Sequence, residues 1–168
     1  MFKRYLSLVL VLSLMVSIVN LLATGTVHAA GNTYYVSSST GKDSNPGTQS
    51  QPWKTMSKLN GMTFGAGDTI YLKAGDTWTE GLVAHGAVPG ATPITLTSYG
   101  SGPKPKISLG GSGICIQMND CAGWKIMNLE LCNANEGIAI VNSTDRDYLW
   151  IQNCYMHDLH LPFYSGYD

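Results

Sequence analysis

The sequence predicts an all-β solenoid, a stack of similar short coils. Three observations carry this. Gly113-Ile114-Cys115-Ile116 recurs as Gly137-Ile138-Ala139-Ile140, an offset of 24, and Trp124-Lys125-Ile126-Met127-Asn128 recurs as Leu149-Trp150-Ile151-Gln152-Asn153, an offset of 25. A fixed period of this size, with two short apolar-alternating segments per unit, is what stacked coils produce, because each column of one coil faces itself in the next. Antiparallel sandwiches share the short strands and frequent turns but do not predict identity at matched positions. Finally, nothing after residue 60 keeps helical periodicity for two turns.

Taken in order, residues 1–30 read as a secretory signal peptide. Lys3 and Arg4 give a positive start, and Leu6 to Leu22 form an apolar run broken only by Ser7, Ser13, Ser17 and Asn20. Val27-His28-Ala29 or His28-Ala29-Ala30 supplies the small-residue cleavage site. The run approaches membrane-spanning length, but the cleavage site behind it favours secretion, with no membrane contact once the leader is removed. Residues 31–66 are expected to hold a first strand, a loop and a capping helix. Thr33-Tyr34-Tyr35-Val36 is rich in β-formers. Ser37 to Gln51 is polar, and Asp43-Ser44-Asn45-Pro46-Gly47-Thr48 is a run of turn residues. Trp53, Met56 and Leu59 recur at helical spacing, which predicts a short helix over 52–60 starting at Pro52 or Thr55.

From residue 67 to 168 the chain reads as coils. Gly65-Ala66-Gly67-Asp68 turns into the alternating strand Thr69 to Lys73; Trp78 and Leu82-Val83 follow the next turn, and then come Ile94 to Tyr99 and Ile107 to Leu109. Ile94 lies 24 residues after Ile70. Alternation places Ile114, Ile116, Ile126, Ile138, Ile140 and Ile151 inside.

The chain holds 10 basic and 11 acidic residues, and removing Lys3 and Arg4 leaves a net charge near −3. No basic run follows, which argues against nucleic acid as a partner. An acidic polysaccharide stays open, because a local patch can be basic while the whole is not. Four cysteines in a secreted chain raise the question of disulfides. Adjacent coils lie about 4.8 Å apart, so two cysteines in one column would be well placed to bridge. The repeat instead pairs Cys115 with Ala139, Cys121 with Asp145, Cys132 with His157 and Cys154 with Leu129. Free or buried thiols are expected.

Tyr34-Tyr35-Val36, Gly41-Lys42-Asp43-Ser44-Asn45-Pro46-Gly47-Thr48 and Pro52-Trp53-Lys54-Thr55, followed by Gly67-Asp68-Thr69-Ile70, Gly75-Asp76-Thr77-Trp78 and Pro93-Ile94-Thr95, resemble the opening of secreted right-handed parallel β-helix proteins of the pectate-lyase-like group. The resemblance runs over nearly all of residues 32–168. It implies a right-handed parallel β-helix whose N-terminal helix plugs the open end of the stack. It also implies a polysaccharide partner, met by a lyase, a glycoside hydrolase or a member without activity, since one fold hosts several chemistries.

Several outward groups are candidates for chemistry. Asn128 and Asn153 share a column and are expected to form a structural amide ladder. Lys125 and Trp150 share an outward column, where indole and ammonium make either a sugar platform or an ordinary surface pair. Asp120 in one turn and Asp145, Arg146 and Asp147 in the next are either solvated turn residues or a Ca²⁺ site. In the pectate-lyase-like enzymes calcium works with a basic side chain, a role that would fall to Arg146. His157-Asp158-Leu159-His160 offers a His–Asp pair suited to general base work, or plain corner residues. A metal there needs ligands the local sequence does not supply.

The coil region accommodates about four coils of this period. Enzymes of the resembled group use a groove across more, so the chain is expected to be the N-terminal portion of a longer protein that is monomeric when complete. Two functions remain open: a carbohydrate-active enzyme, inactive as this portion alone, or a non-catalytic extracellular carbohydrate-binding or surface protein.

Overall fold

The computed structural model describes residues 31–86, 92–119, 121–141 and 149–165, so the signal-peptide reading of residues 1–30 lies outside it. Strand β1 (Thr33–Val36) and helix α1 (Met56–Asn60) come first. Then follow β2 (Thr69–Lys73), β3 (Thr77–Trp78), β4 (Leu82–Ala84), β5 (Ile94–Tyr99), β6 (Lys106–Ser108) and β7 (Ile114–Asn119). The last are β8 (Trp124–Met127), β9 (Glu130–Val141), β10 (Trp150–Gln152) and β11 (Tyr155–Ser165).

Each described strand pairs in parallel with the strand one coil away. One sheet runs β1-β2-β5-β8-β10; the other joins β3, β6, β9, β7 and β4, with β11 beside β9. The second sheet is two faces in one. The first part of β9 pairs with β6 and its second part with β7, while β11 follows β9 along both. Each coil therefore has three faces rather than two segments, and the chain is a right-handed parallel β-helix.

The bends fall where Asn and Asp stand. Asn133 (φ 51°) divides β9 and Asp158 (φ 53°) divides β11, while Asn128 (φ 62°) and Asn153 (φ 53°) turn the chain from β8 into β9 and from β10 into β11. These residue types tolerate the left-handed region because their short polar side chains bond locally. The expected ladder is present. Asn153 Nδ2 donates to Asn128 Oδ1 at 2.8 Å, and Asn128 Nδ2 donates to Thr97 Oγ1 at 3.0 Å.

Inside, Ile70, Leu72, Leu82, Ile94, Leu96, Ile107, Ile116, Ile126, Leu131 and Ile138 are wholly buried. Buried indoles keep their N–H groups satisfied: Trp78 Nε1 donates to the Lys54 carbonyl and Trp124 Nε1 to the Gly86 carbonyl, both at 2.8 Å. Two residues expected inside differ. Ile114 is half-buried with fully buried Cys115 beside it, and Ile151 is 39% exposed, because β10 has no sheet neighbour beyond it among the described residues.

The register departs from the sequence alignment at two places. Ile116 stands opposite Ile138 and Ile114 opposite Glu136, so the offset there is 22; Ile70 faces Leu96, and Ile94 faces Trp124. Corners of unequal length let a match of identical residues slide by two, and an even slip keeps every side chain on its own face. The offset of 25 holds further on, where Ile151 faces Ile126, Met156 faces Leu131 and His157 faces Cys132.

The expected helix over 52–60 is shorter. Trp53 is extended and bridges Val36, and α1 begins after Thr55, whose hydroxyl accepts from the Lys58 N–H at 3.1 Å. Trp53, Met56 and Leu59 are still buried together over the first coil. The polar loop is a clasp on this cap. Asp43 accepts from the backbone N–H groups of Lys54 and Thr55 and from the Thr55 hydroxyl, and Trp53 Nε1 donates to the Asn45 carbonyl. Gly41 passes so close to the Trp53 carbonyl that a Cβ would lie 1.9 Å from its oxygen. None of the four cysteines is in a disulfide; Cys115, Cys121 and Cys132 are buried and Cys154 is half-buried. Burial pushes the Cys115 thiol up to about 11.

Candidate functional site

The face made by β6, β9 and β11 carries the densest cluster of ionisable groups on the described surface. Ile107, Leu131 and Met156 stand opposite one another and point inward, so their neighbours point out. One outward column holds Lys106, Glu130 and Tyr155; the next holds Ser108, Cys132 and His157. Parallel in-register stacking thus brings together residues some 25 and 50 positions apart in sequence.

His157 is gripped from three sides. Its Nδ1 lies 2.8 Å from Asp158 Oδ2 and its Nε2 lies 3.2 Å from Glu130 Oε1. The Tyr155 ring stacks on the imidazole at 4.4 Å between centroids. Lys106 Nζ reaches the same Glu130 oxygen at 2.7 Å. Hydrogen bonding to Asp158, and then to Glu130, raises the His157 pKa above its ordinary value. Burial pushes Glu130 up, but hydrogen bonds from Lys106 and His157 outweigh it and hold the carboxyl below its usual range. The two carboxylate contacts favour the protonated imidazole, which makes the pair a weaker general base than an unpaired histidine would be. Cys132 lies beneath this cluster. Donor atoms of Glu130, Cys132 and His157 all fall within 4.8 Å of one another, and Asn133 Nδ2 lies 3.6 Å from the Cys132 sulfur.

The structure brings His157 and Asp158 into contact as the sequence suggested, and it adds Glu130, Cys132 and Lys106 from other coils. Asp158 occupies the corner that Asn133 occupies one coil before, which accounts for its residue type on backbone grounds. His160 is exposed and outside the group. The repeat aligns Cys132 with His157, and the two do stand opposite one another across β9 and β11. Lys125 and Trp150 do face each other across β8 and β10, Lys125 half-buried and Trp150 45% exposed, on a different face from the His157 cluster. Asp120, Asp145, Arg146 and Asp147 lie outside the described residues.

A second polar cluster, around Asp76, is structural. Its carboxylate is buried and accepts from the Ser37 hydroxyl at 2.7 Å and from the Ser39 hydroxyl at 2.7 Å and N–H at 3.2 Å. Burial raises its pKa, but these bonds outweigh the effect and hold it below the ordinary value.

No family model matches the chain. Lacto-N-biosidase of Bifidobacterium longum subsp. longum is 33% identical over 96 residues, 54% of this chain and 6% of that protein. Two crystal structures of GH136 lacto-N-biosidase from Eubacterium ramulus superpose on it at 22% identity over 81% of the chain, the selenomethionine derivative with a TM-score of 0.74 and the native protein with 0.71. The chain spans 30% of each of those structures, so it resembles a part of these β-helical proteins in fold, and a part of one lacto-N-biosidase in sequence.

Proposed function

We propose that the chain forms the capped first coils of a secreted carbohydrate-active protein of glycoside hydrolase type, monomeric when complete. The observation that carries this is the 33% identity to a segment of a lacto-N-biosidase, joined to a matching coil architecture. It favours hydrolysis over the β-elimination suggested by the pectate-lyase-like resemblance. Hydrolysis needs two carboxylates flanking the scissile bond at a defined separation. Glu130 is tied up by Lys106 and His157, and Asp158 by His157. On this reading the present coils position a glycan, through Lys125, Trp150 and neighbouring faces, and the acid and nucleophile come from elsewhere.

The test is to incubate the purified chain, and any longer product of the same gene, with a tetrasaccharide ending in lacto-N-biose and with a polysaccharide panel, with and without chelator. The expected result is disaccharide release by the longer product only, insensitive to chelator. An unsaturated, calcium-dependent product would replace the hydrolase reading with a lyase. The second reading, a non-catalytic glycan-binding protein, draws on the ion-paired state of the His157 cluster; binding without turnover in every preparation would establish it.

A further inference from the structure

We infer that Glu130, Cys132 and His157 form a binding site for one divalent transition metal of the zinc type on the outer face of the β-helix. The inference is independent of any activity on glycans. It rests on three features of the cluster.

The first is the donor set. A thiol, an imidazole nitrogen and a carboxylate, with their donor atoms within 4.8 Å, are the three ligand types that zinc takes, and they leave a fourth position open. The second is spacing. Ligands of a tetrahedral zinc with bonds of about 2.0–2.3 Å lie roughly 3.3–3.6 Å from one another. His157 Nε2 and Glu130 Oε1 are 3.2 Å apart, so a metal replaces the proton between them with little movement. The thiol lies within 4.8 Å of the other two donors, so it closes the triangle by a contraction of at most about 1.5 Å. The third is the support around the ligands. His157 presents Nε2 to the cluster while Nδ1 faces Asp158 at 2.8 Å, the arrangement in which a carboxylate fixes the tautomer and orientation of a metal-bound imidazole. Tyr155 stacks on the same ring, and Asn133 Nδ2 points at the sulfur that would become a thiolate.

Charge is consistent with this occupant. Glu130 and a Cys132 thiolate offset a divalent cation, and Lys106 and Asp158 offset each other. Lys106, whose side chain is 38% exposed, can remain on the carboxylate as a hydrogen-bond donor or swing into solvent. Hard cations such as calcium prefer six to eight oxygen ligands and are not matched by this set.

The experiment is a titration of the purified, chelator-treated full chain with Co²⁺ followed by absorbance, then displacement with Zn²⁺. One equivalent is expected to give tetrahedral visible bands and a thiolate charge-transfer band in the near ultraviolet, both lost on adding Zn²⁺. Cys132→Ser is expected to abolish the charge-transfer band and His157→Ala to weaken binding at least ten-fold. Asp158→Asn is expected to weaken it about 10–100-fold. Cys154→Ser is expected to leave the spectrum unchanged, and circular dichroism checks that each variant is folded. Glu130→Gln provides a second ligand variant if His157→Ala does not fold. Absence of a saturable band in the unmodified chain overturns the inference. So does a charge-transfer band that survives in Cys132→Ser, since another cysteine would then supply the thiolate.

Discussion

Asn128 shows how one residue serves the fold twice. Its φ of 62° is costly for most side chains, by roughly 1–2 kcal/mol, and its amide joins Asn153 to Thr97 across three coils. Asn128→Ala is therefore expected to lose about 2 kcal/mol, backbone strain and hydrogen bonds together. Asn128→Gly should recover the backbone part only. Urea midpoints for the two variants check this, and equal losses would contradict the division. Asp76 gives a pH prediction. Its folded pKa is lowered, so its contribution is fully present above the unfolded value and fades as pH falls through the acid range toward the lower folded value. Asp76→Ala is expected to cost about 2–3 kcal/mol near neutrality, the worth of hydrogen bonds to a charged group. The gap in stability between the unmodified chain and the variant should then narrow as pH falls through the acid range. The sequence made Asn128 legible through its repeat. It gave no sign of the role of Asp76, because Ser37 and Ser39 lie in a loop with no repeat partner.

The helix and its clasp are where element-scale reasoning succeeded in substance and erred in extent. The apolar spacing of Trp53, Met56 and Leu59 correctly marked the plug, but Trp53 reaches it from extended backbone paired with Val36. Helical spacing alone does not distinguish these, since burial demands only that the three side chains reach one surface. Met56 is wholly buried, so Met56→Ala is expected to cost about 2–5 kcal/mol. Thr55→Ala should cost about 1 kcal/mol through the lost cap and its bond to Asp43. Thermal denaturation with a dye that reports exposed apolar surface would follow both. At the far end β10 and β11 have no further sheet neighbour among the described residues, and Ile151, Leu161 and Phe163 are 39%, 45% and 46% exposed. An exposed strand edge beside apolar side chains promotes association. Leu161→Lys with Phe163→Lys is expected to reduce concentration-dependent light scattering of the purified chain; unchanged scattering would place any association elsewhere.

For the whole molecule, the sequence by itself determined the class of fold. A period near 24 or 25 residues with matched apolar positions has one economical explanation, coils stacked in parallel so that like meets like. Composition added exclusions, and the column logic correctly kept the four cysteines apart. The inward sorting of Ile116, Ile126, Ile138 and Ile140 survived a register error of two, because side-chain direction along a regular strand depends on parity, while it failed at Ile114, where Cys115 is buried instead. Only the tertiary structure decided how many faces each coil has, which residues stand opposite one another across corners of unequal length, and what surrounds His157. Glu130 and Lys106 are not near it in sequence, and the local His-x-x-His spacing pointed to His160, which takes no part. Corner lengths leave no periodic trace, yet they set the register. The register in turn determines which charged groups from separate coils come within hydrogen-bond distance.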